Sequence, residues 1–251
     1  MSTTLIPMAG HGKRYRDQGY KQPKPLVPVD DVPMVVKAVQ DLPETNKYVF
    51  VVLQEHIEQY NLAANLIKSF PNAEVVAISE VTEGQADTCL QAAEFITQDS
   101  LLISACDNGI LYDKSKLQEL QNQFDCLVFT FRGNVTVCPK PEQYGWVKTK
   151  DGLQVQRTSV KKPVSSNPVE DYAIVGTFWF KEGSMFLQAT QKMMHEDRRI
   201  NNEFYVDECI NDLVDLGYRV GNFEVEKYIC WGTPDDLDVY NYWKSFFTQR
   251  H

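Results

Sequence analysis

Short apolar runs rich in β-branched residues alternate along this chain with stretches of helical spacing, and that alternation constrains the fold more than any other feature. Residues 4–8, 47–53, 73–78 and 100–105 read as interior strands. Residues 34–42, 56–70 and 85–96 carry apolar positions at helical spacing, the last with Ala86, Leu90, Ala93 and Phe95 pointing inward. A strand-helix-strand order needs crossovers between parallel strands. The expected fold is therefore α/β, a mostly parallel central sheet covered by helices on both faces. Beyond a strand at 126–131 the pieces shorten. Strands are expected at 145–149 and 153–160, joined by a turn at Lys150-Asp151-Gly152, and at 172–180 and 219–225. Helices are expected at 184–196, at 203–216 and from Pro234 onward.

A chain of 251 residues can bury a substantial core as one continuous domain, the organisation expected for residues 1–251. The net charge of −9 argues against broad binding to nucleic acid or anionic membrane. The first residues lack a basic segment followed by an apolar one, and no apolar run approaches the roughly 20 residues that span a bilayer. The six cysteines form no C-x-x-C pair and several sit in apolar runs, which fits a reducing compartment. A soluble, cytoplasmic protein is expected.

Positive charge is concentrated in one place. Residues 13–24 hold Lys13, Arg14, Arg16, Lys21 and Lys24 against Asp17 alone, so this segment is +4 and the remainder −13. It contains M-A-G-H-G-K-R-Y at 8–15 and runs into Q-P-K-P-L-V-P at 22–28. Gly10 and Gly12 let backbone amides approach an anion closely, as a loop after a strand does when it cradles phosphate oxygens. Arg14 can donate to two phosphate oxygens at once, and Lys24, held between Pro23 and Pro25, adds a point charge. Alone, a G-x-G-x-R turn is more often structural. It is neither a Walker loop nor the G-x-G-x-x-G dinucleotide pattern, because Tyr15 stands where the third glycine would.

In combination the segments say more. G-x-G-x-R, then P-K-P-L-x-P, then Val32-Pro33-Met34-Val35 opening a helix, resembles the start of the sugar-phosphate nucleotidyltransferases, which make nucleotide sugars. The likeness is to short members found in polysaccharide gene clusters. It implies a Rossmann-like fold of the nucleotidyltransferase and glycosyltransferase-A type, mixed at its edges. Residues 1–131 would bind the nucleotide and 132–251 the acceptor. The nucleotide set would be Ala9, Gly10, Gly12, Lys13, Arg14, Lys24 and Asp107, with Glu83 and Gly84 reading the base.

Asp107 ends the strand at 100–105 and is the implied Mg²⁺ ligand; a carboxylate at the C-terminal edge of a parallel strand faces the crevice where such sheets bind ligands. On the acceptor side the resemblance points to Gly145, Lys162, Gly176 and Glu203, with Lys162 on the acceptor phosphate. A glycine at 176 can equally mark a bulge, and Glu203 can equally be a helix-dipole acid. W-G-T-P-D-D-L at 231–237 resembles the closing motif, with Thr233 capping the last helix and Pro234 opening it.

Two departures stand out. Lys161 replaces the family's glutamate, and Cys230 stands where many relatives carry a second Mg²⁺-binding aspartate, although a neutral thiol is a poor ligand for a hard cation. Either Asp107 and phosphates suffice, or a carboxylate such as Glu203 or Asp207 substitutes. His11 lies in the phosphate loop, while His56, His195 and His251 are expected to be exposed.

The implied activity is Mg²⁺-dependent transfer of a nucleoside monophosphate from a triphosphate, with CTP, UTP or dTTP favoured, to a sugar 1-phosphate or a small phosphorylated alcohol or amine. A homo-oligomer is compatible with this. The competing readings are a glycosyltransferase of related fold, disfavoured because Asp107-Asn108-Gly109 lacks a D-x-D, and an inactive nucleotide-sensing subunit.

Overall fold

The structure, a computed structural model, describes residues 1–249. The first part of the chain runs β1 (Ser2–Pro7), α1 (Lys13–Asp17), a small ribbon of β2 (Pro28–Val29) and β3 (Val32–Pro33), α2 (Met34–Gln40), β4 (Lys47–Leu53), α3 (Gln54–Tyr60), α4 (Leu62–Ser69), β5 (Ala73–Ile78), α5 (Gln85–Leu90) and β6 (Ser100–Ser104). There follow β7 (Asn108–Leu111), α6 (Lys114–Gln123), β8 (Cys126–Phe131), β9 (Gly145–Lys150), β10 (Gln154–Val160), β11 (Tyr172–Phe180), α7 (Gly183–His195), α8 (Val206–Asp215), β12 (Val220–Glu224), β13 (Lys227–Cys230) and α9 (Pro234–Thr248).

Nine strands form one sheet in the order β5-β4-β1-β6-β11-β8-β12-β10-β9. Its first four strands are parallel. The strand β11 then runs antiparallel to both β6 and β8, so the sheet is mixed beyond β6. Because β11 also pairs with β9, the strands β11, β8, β12, β10 and β9 close on themselves. Closure needs bent strands, and the register shifts between Ile174 and Phe178 in β11 and between Val155 and Arg157 in β10 supply the bends.

Alternation explains why helices cover both faces. Leu5, Val49 and Val51 pack on the side of α5, α7 and α8, whereas Ile6, Phe50 and Val52 pack on the side of α2, α4 and α6. With both faces buried, each apolar side chain contributes roughly 1.5–3 kcal/mol of transfer free energy.

Local chemistry shifted several boundaries. The helical stretch expected at 56–70 is broken at Asn61, which takes a left-handed φ of 52° between α3 and α4. The stretch at 85–96 is α5 followed by a single 3₁₀ turn at Ala93–Phe95, and α8 begins at Val206 rather than 203. His56 is buried at 5% exposure, not exposed as expected, and burial lowers its pKa. His195 is exposed, and His251 lies outside the described residues. No helix of the described residues is long and apolar enough to cross a membrane.

Candidate active site

The chain leaves β1 with Met8 and Ala9 buried, and Gly12 adopts a φ of 59° as it opens α1. A Cβ at Gly12 would lie 2.9 Å from Lys24 Cβ, so glycine lets the two segments of the basic loop touch. The Tyr15 hydroxyl, buried one turn later, donates to the carbonyls of Trp231 at 2.6 Å and Thr233 at 3.1 Å. That tie fastens the loop to the W-G-T-P segment and leaves the Arg14 side chain on the wall of a cavity of about 190 Å³.

Lys24, on a short 3₁₀ turn between buried Pro23 and Pro25, forms an ion pair with Asp107 just beyond β6. Burial disfavours the Asp107 carboxylate, but Lys24 and Arg14 more than offset this and hold its pKa below the usual range. Burial likewise works against the Lys24 ammonium, and Asp107 raises its pKa above the usual value. Both groups are therefore ionised at neutral pH. Trp231 N–H donates to the Asp107 carbonyl at 2.8 Å, and the two-stranded ribbon of β7 and β13 holds this corner closed.

Around Gly232, Asp107 is joined by two further groups. A Cβ there would lie 3.2 Å from Asp107 Oδ2, 3.2 Å from Cys230 Sγ and 3.9 Å from Asp236 Oδ2. Burial pushes the Cys230 thiol up to about 12, with Asp107 and Asp236 adding to it, so it is a neutral thiol. Asp236 closes a capping box with Thr233, whose hydroxyl and backbone N–H both donate to it.

A resident Mg²⁺ suits this donor set in one respect: the ion takes one or two carboxylates and fills its shell with phosphate oxygens and water. Asp107, with Asp236 nearby, meets that need. Among the described residues no cluster of three or more His, Cys, Asp or Glu is arranged to hold a metal by itself. Of the candidate substitutes for Cys230, Asp207 lines the same cavity and Glu203 does not. Glu203 is exposed and accepts from the Tyr205 hydroxyl.

The second part of the chain also lines the cavity, with Gly145 at the start of β9, Lys161 after β10, Gly176 in β11, and Tyr144, Tyr205, Asp207 and Tyr228. Gly176 is a bulge residue as well as a wall. Its φ is 91° where the β11 register shifts, and its carbonyl accepts from Ala105 N–H at 3.0 Å. Of the two lysines, Lys161 lines the cavity with a left-handed φ of 63°. Lys162 is exposed outside it, its carbonyl accepting from Ser159 at 2.7 Å.

Gly10, Lys13, Glu83 and Gly84 are not on this wall either. Gly10 and Lys13 are exposed, and Gly12, Lys24, Arg16 and Lys21 line an adjoining hollow of about 180 Å³. Glu83 pairs with Arg199 at 2.8 Å, and Gly84, at a φ of 127°, packs against the Phe204 backbone.

Sequence reading did not place Lys161, Tyr205, Tyr228 or Asp236 in the cavity. Only Asp236 carried a signal, the threonine-to-acid spacing of a capping box.

Asp207 is the most perturbed carboxyl here. Burial pushes it up to about 6, while its own backbone N–H and the Lys161 ammonium pull it down and Glu208 adds to the rise. The folded chain thus keeps this proton up to about pH 6, whereas the unfolded chain releases it near pH 4. Its contribution to stability falls as pH climbs between those values and stays low above them. Asp207→Asn removes that penalty. The variant is expected to be more stable than the parent by about 1–3 kcal/mol at pH 7.5 and to lose this advantage at pH 4. Thermal melts at both pH values check this, and equal advantages would contradict the assigned shift.

A basic glycine loop after the first strand of a parallel run thus meets a carboxylate from a neighbouring strand end, as in α/β proteins that bind ligands at the strand ends. The chain belongs to the nucleotidyl transferase family, whose profile matches residues 3–244. No curated protein sequence matches it significantly. Among solved structures it is similar to a nucleoside-diphosphate-sugar pyrophosphorylase from Vibrio cholerae RC9, with a TM-score of 0.79 and 18% identity over 94% of this chain and 98% of that one. An inositol-1-phosphate CTP transferase from T. maritima aligns with a TM-score of 0.71 and 16% identity over 96% and 93%. A putative glucose-1-phosphate thymidylyltransferase from Bacillus anthracis aligns with a TM-score of 0.73 and 17% identity over 96% and 94%. At these identities the likeness is one of fold.

Proposed function

We propose that the protein transfers a nucleoside monophosphate from a pyrimidine nucleoside triphosphate to the phosphate of a small acceptor and releases pyrophosphate. The observation that carries this is the convergence of Arg14 and Asp107, the latter paired with Lys24, on a cavity that Gly145, Lys161 and Gly176 also line. The similar structures named above are titled for CTP, thymidylyl and nucleoside-diphosphate-sugar chemistry, which supports a pyrimidine base.

An acceptor phosphate oxygen attacks the α-phosphorus, the bond from that phosphorus to the β-bridging oxygen breaks, and the electron pair leaves with pyrophosphate. No proton need move, because a phosphomonoester with a second pKa near about 6 is already largely dianionic at neutral pH. The protein's work is alignment and charge neutralisation. Arg14 stabilises the leaving pyrophosphate, Lys24 the α-phosphate, and Lys161 takes the incoming phosphate in place of Lys162. Mg²⁺ held by Asp107, when bound, supplies further neutralisation of the triphosphate.

Residues 1–131 serve the nucleotide and 132–251 the acceptor within one domain. Free thiols throughout and a triphosphate substrate fit the cytoplasm.

Incubation of the protein and Mg²⁺ with each common triphosphate, against glucose 1-phosphate and small phosphorylated alcohols and amines, is expected to release pyrophosphate with at least one pyrimidine triphosphate. Binding of a triphosphate without turnover on any acceptor would favour a nucleotide sensor instead.

A further inference from the structure

The acceptor end of the cavity holds a carboxylate that nothing in the transfer step uses. Asp207 sits in the first turn of α8, and the backbone there is fixed from β10: the Thr158 hydroxyl donates to the Asp207 carbonyl at 2.7 Å, and Asn211, one turn on, accepts from Thr158 N–H at 2.9 Å. The carboxylate fills the space that a side chain at position 145 would occupy, since a Cβ on Gly145 would lie 2.0 Å from Asp207 Oδ2. Glycine at the start of β9 is what gives this carboxylate its place on the wall.

First-turn acids usually serve the helix dipole from an exposed position. The next residue, Glu208, is engaged differently, pairing with Arg198 at 2.8 Å. Asp207 makes no ion pair among the described residues. The nearest ammonium, that of Lys161, instead donates to the Gln143 carbonyl at 3.3 Å and stands 5.3 Å from the centre of the Tyr205 ring.

We propose that Asp207 is the specificity residue of the acceptor pocket and that it pairs with a cationic amino or ammonium group, so that the acceptor is a phosphorylated amine. This rests on the transferase activity proposed above. A hydroxyl could donate a hydrogen bond to Asp207 but would leave its charge uncompensated in a partly buried site, whereas an ammonium supplies both. Tyr144, Tyr205 and Tyr228 line the same cavity. A phosphorylated amine brings an anion for Lys161 and a cation for Asp207, both of which line the cavity.

The test compares pyrophosphate release with phosphoethanolamine and phosphocholine against glycerol 3-phosphate and glucose 1-phosphate, in the parent protein and in Asp207→Asn. The parent is expected to prefer the better amine by at least about tenfold in kcat/KM. The substitution is expected to cut the amine-to-neutral ratio by about 10- to 100-fold, mainly through KM, since a hydrogen bond to a charged group is worth about 1.5–3 kcal/mol. A merely structural role for Asp207 would move both acceptor classes together and leave the ratio unchanged. Turnover of the neutral acceptors with no preference for amines would overturn this assignment while leaving the transferase activity standing. Turnover of neither class would overturn both.

Discussion

Asp107→Asn is expected to slow pyrophosphate release by at least about 10³-fold and Lys24→Ala by at least about 10²-fold, the larger loss because Asp107 serves both the cation and Lys24. The two charges meet only because the loop after β1 folds back on the strand end after β6. Removing one leaves the other partly buried without its partner. The Lys24 and Asp107 side chains are 17% and 19% exposed, so each single change is expected to cost about 3 kcal/mol of stability, the lower end for breaking a buried pair. The double variant should cost less than the two singles together. Thermal melts and triphosphate binding separate the chemistry from the fold: folded variants that bind nucleotide yet release no pyrophosphate fit the assigned roles. Folded variants with near-parent turnover would remove Asp107 and Lys24 from the mechanism.

The largest structural effect is expected at Gly84. Its φ is 127°, and a Cβ there would lie 2.5 Å from Phe204 N and 2.6 Å from Phe204 O, both backbone atoms that cannot swing aside. Two hydrogen bonds clamp the same contact, from Phe204 N–H to the Glu83 carbonyl at 2.8 Å and from Ala86 N–H to the Phe204 carbonyl at 2.9 Å. Gly84→Ala must therefore break the clamp or hold a strained φ, at a cost of about 3 kcal/mol or more. For a chain of this length that lowers Tm by roughly 6–12 °C. Calorimetry showing a shift under about 2 °C would mean that the loop at 82–84 repacks freely.

Gly84 and the Asp107–Lys24 pair differ in how far a linear reading could find them. The parallel core was legible because both faces of β1 and β4 are buried, so every position from Leu5 to Ile6 and Val49 to Val52 is apolar whichever way it points. The break at Asn61 was not, because helical spacing continues across it and only a left-handed φ separates α3 from α4. The ribbon of β7 and β13 was missed because four-residue strands carry too little alternation to register, and their pairing joins distant parts of the chain.

At the site, the residue types in the basic loop and at Asp107 pointed to phosphate chemistry, and the structure brings Arg14, Lys24 and Asp107 together. The choice between Lys161 and Lys162 depended on one backbone torsion. A φ of 63° at Lys161 turns that residue toward the cavity, and neighbouring lysines in a turn give no hint of it in sequence. Glu83 and Gly84 were read as nucleotide contacts, but here Glu83 is engaged by Arg199 and Gly84 by backbone packing. Thr233 was assigned to the cap of the last helix, which it forms with Asp236, while the approach of Asp236 to Cys230 at 3.6 Å follows only from the fold.

Which phosphorus is attacked defines the reaction. Phosphorus NMR of the protein with Mg²⁺, a pyrimidine triphosphate and a phosphorylated acceptor follows every product of that step at once. Attack at the α-phosphorus predicts inorganic pyrophosphate and a new pyrophosphate diester growing in equal amounts as the triphosphate and acceptor signals decline together. Nucleoside diphosphate with orthophosphate or a doubly phosphorylated acceptor, or a triphosphate spectrum that never changes on any acceptor, would contradict it.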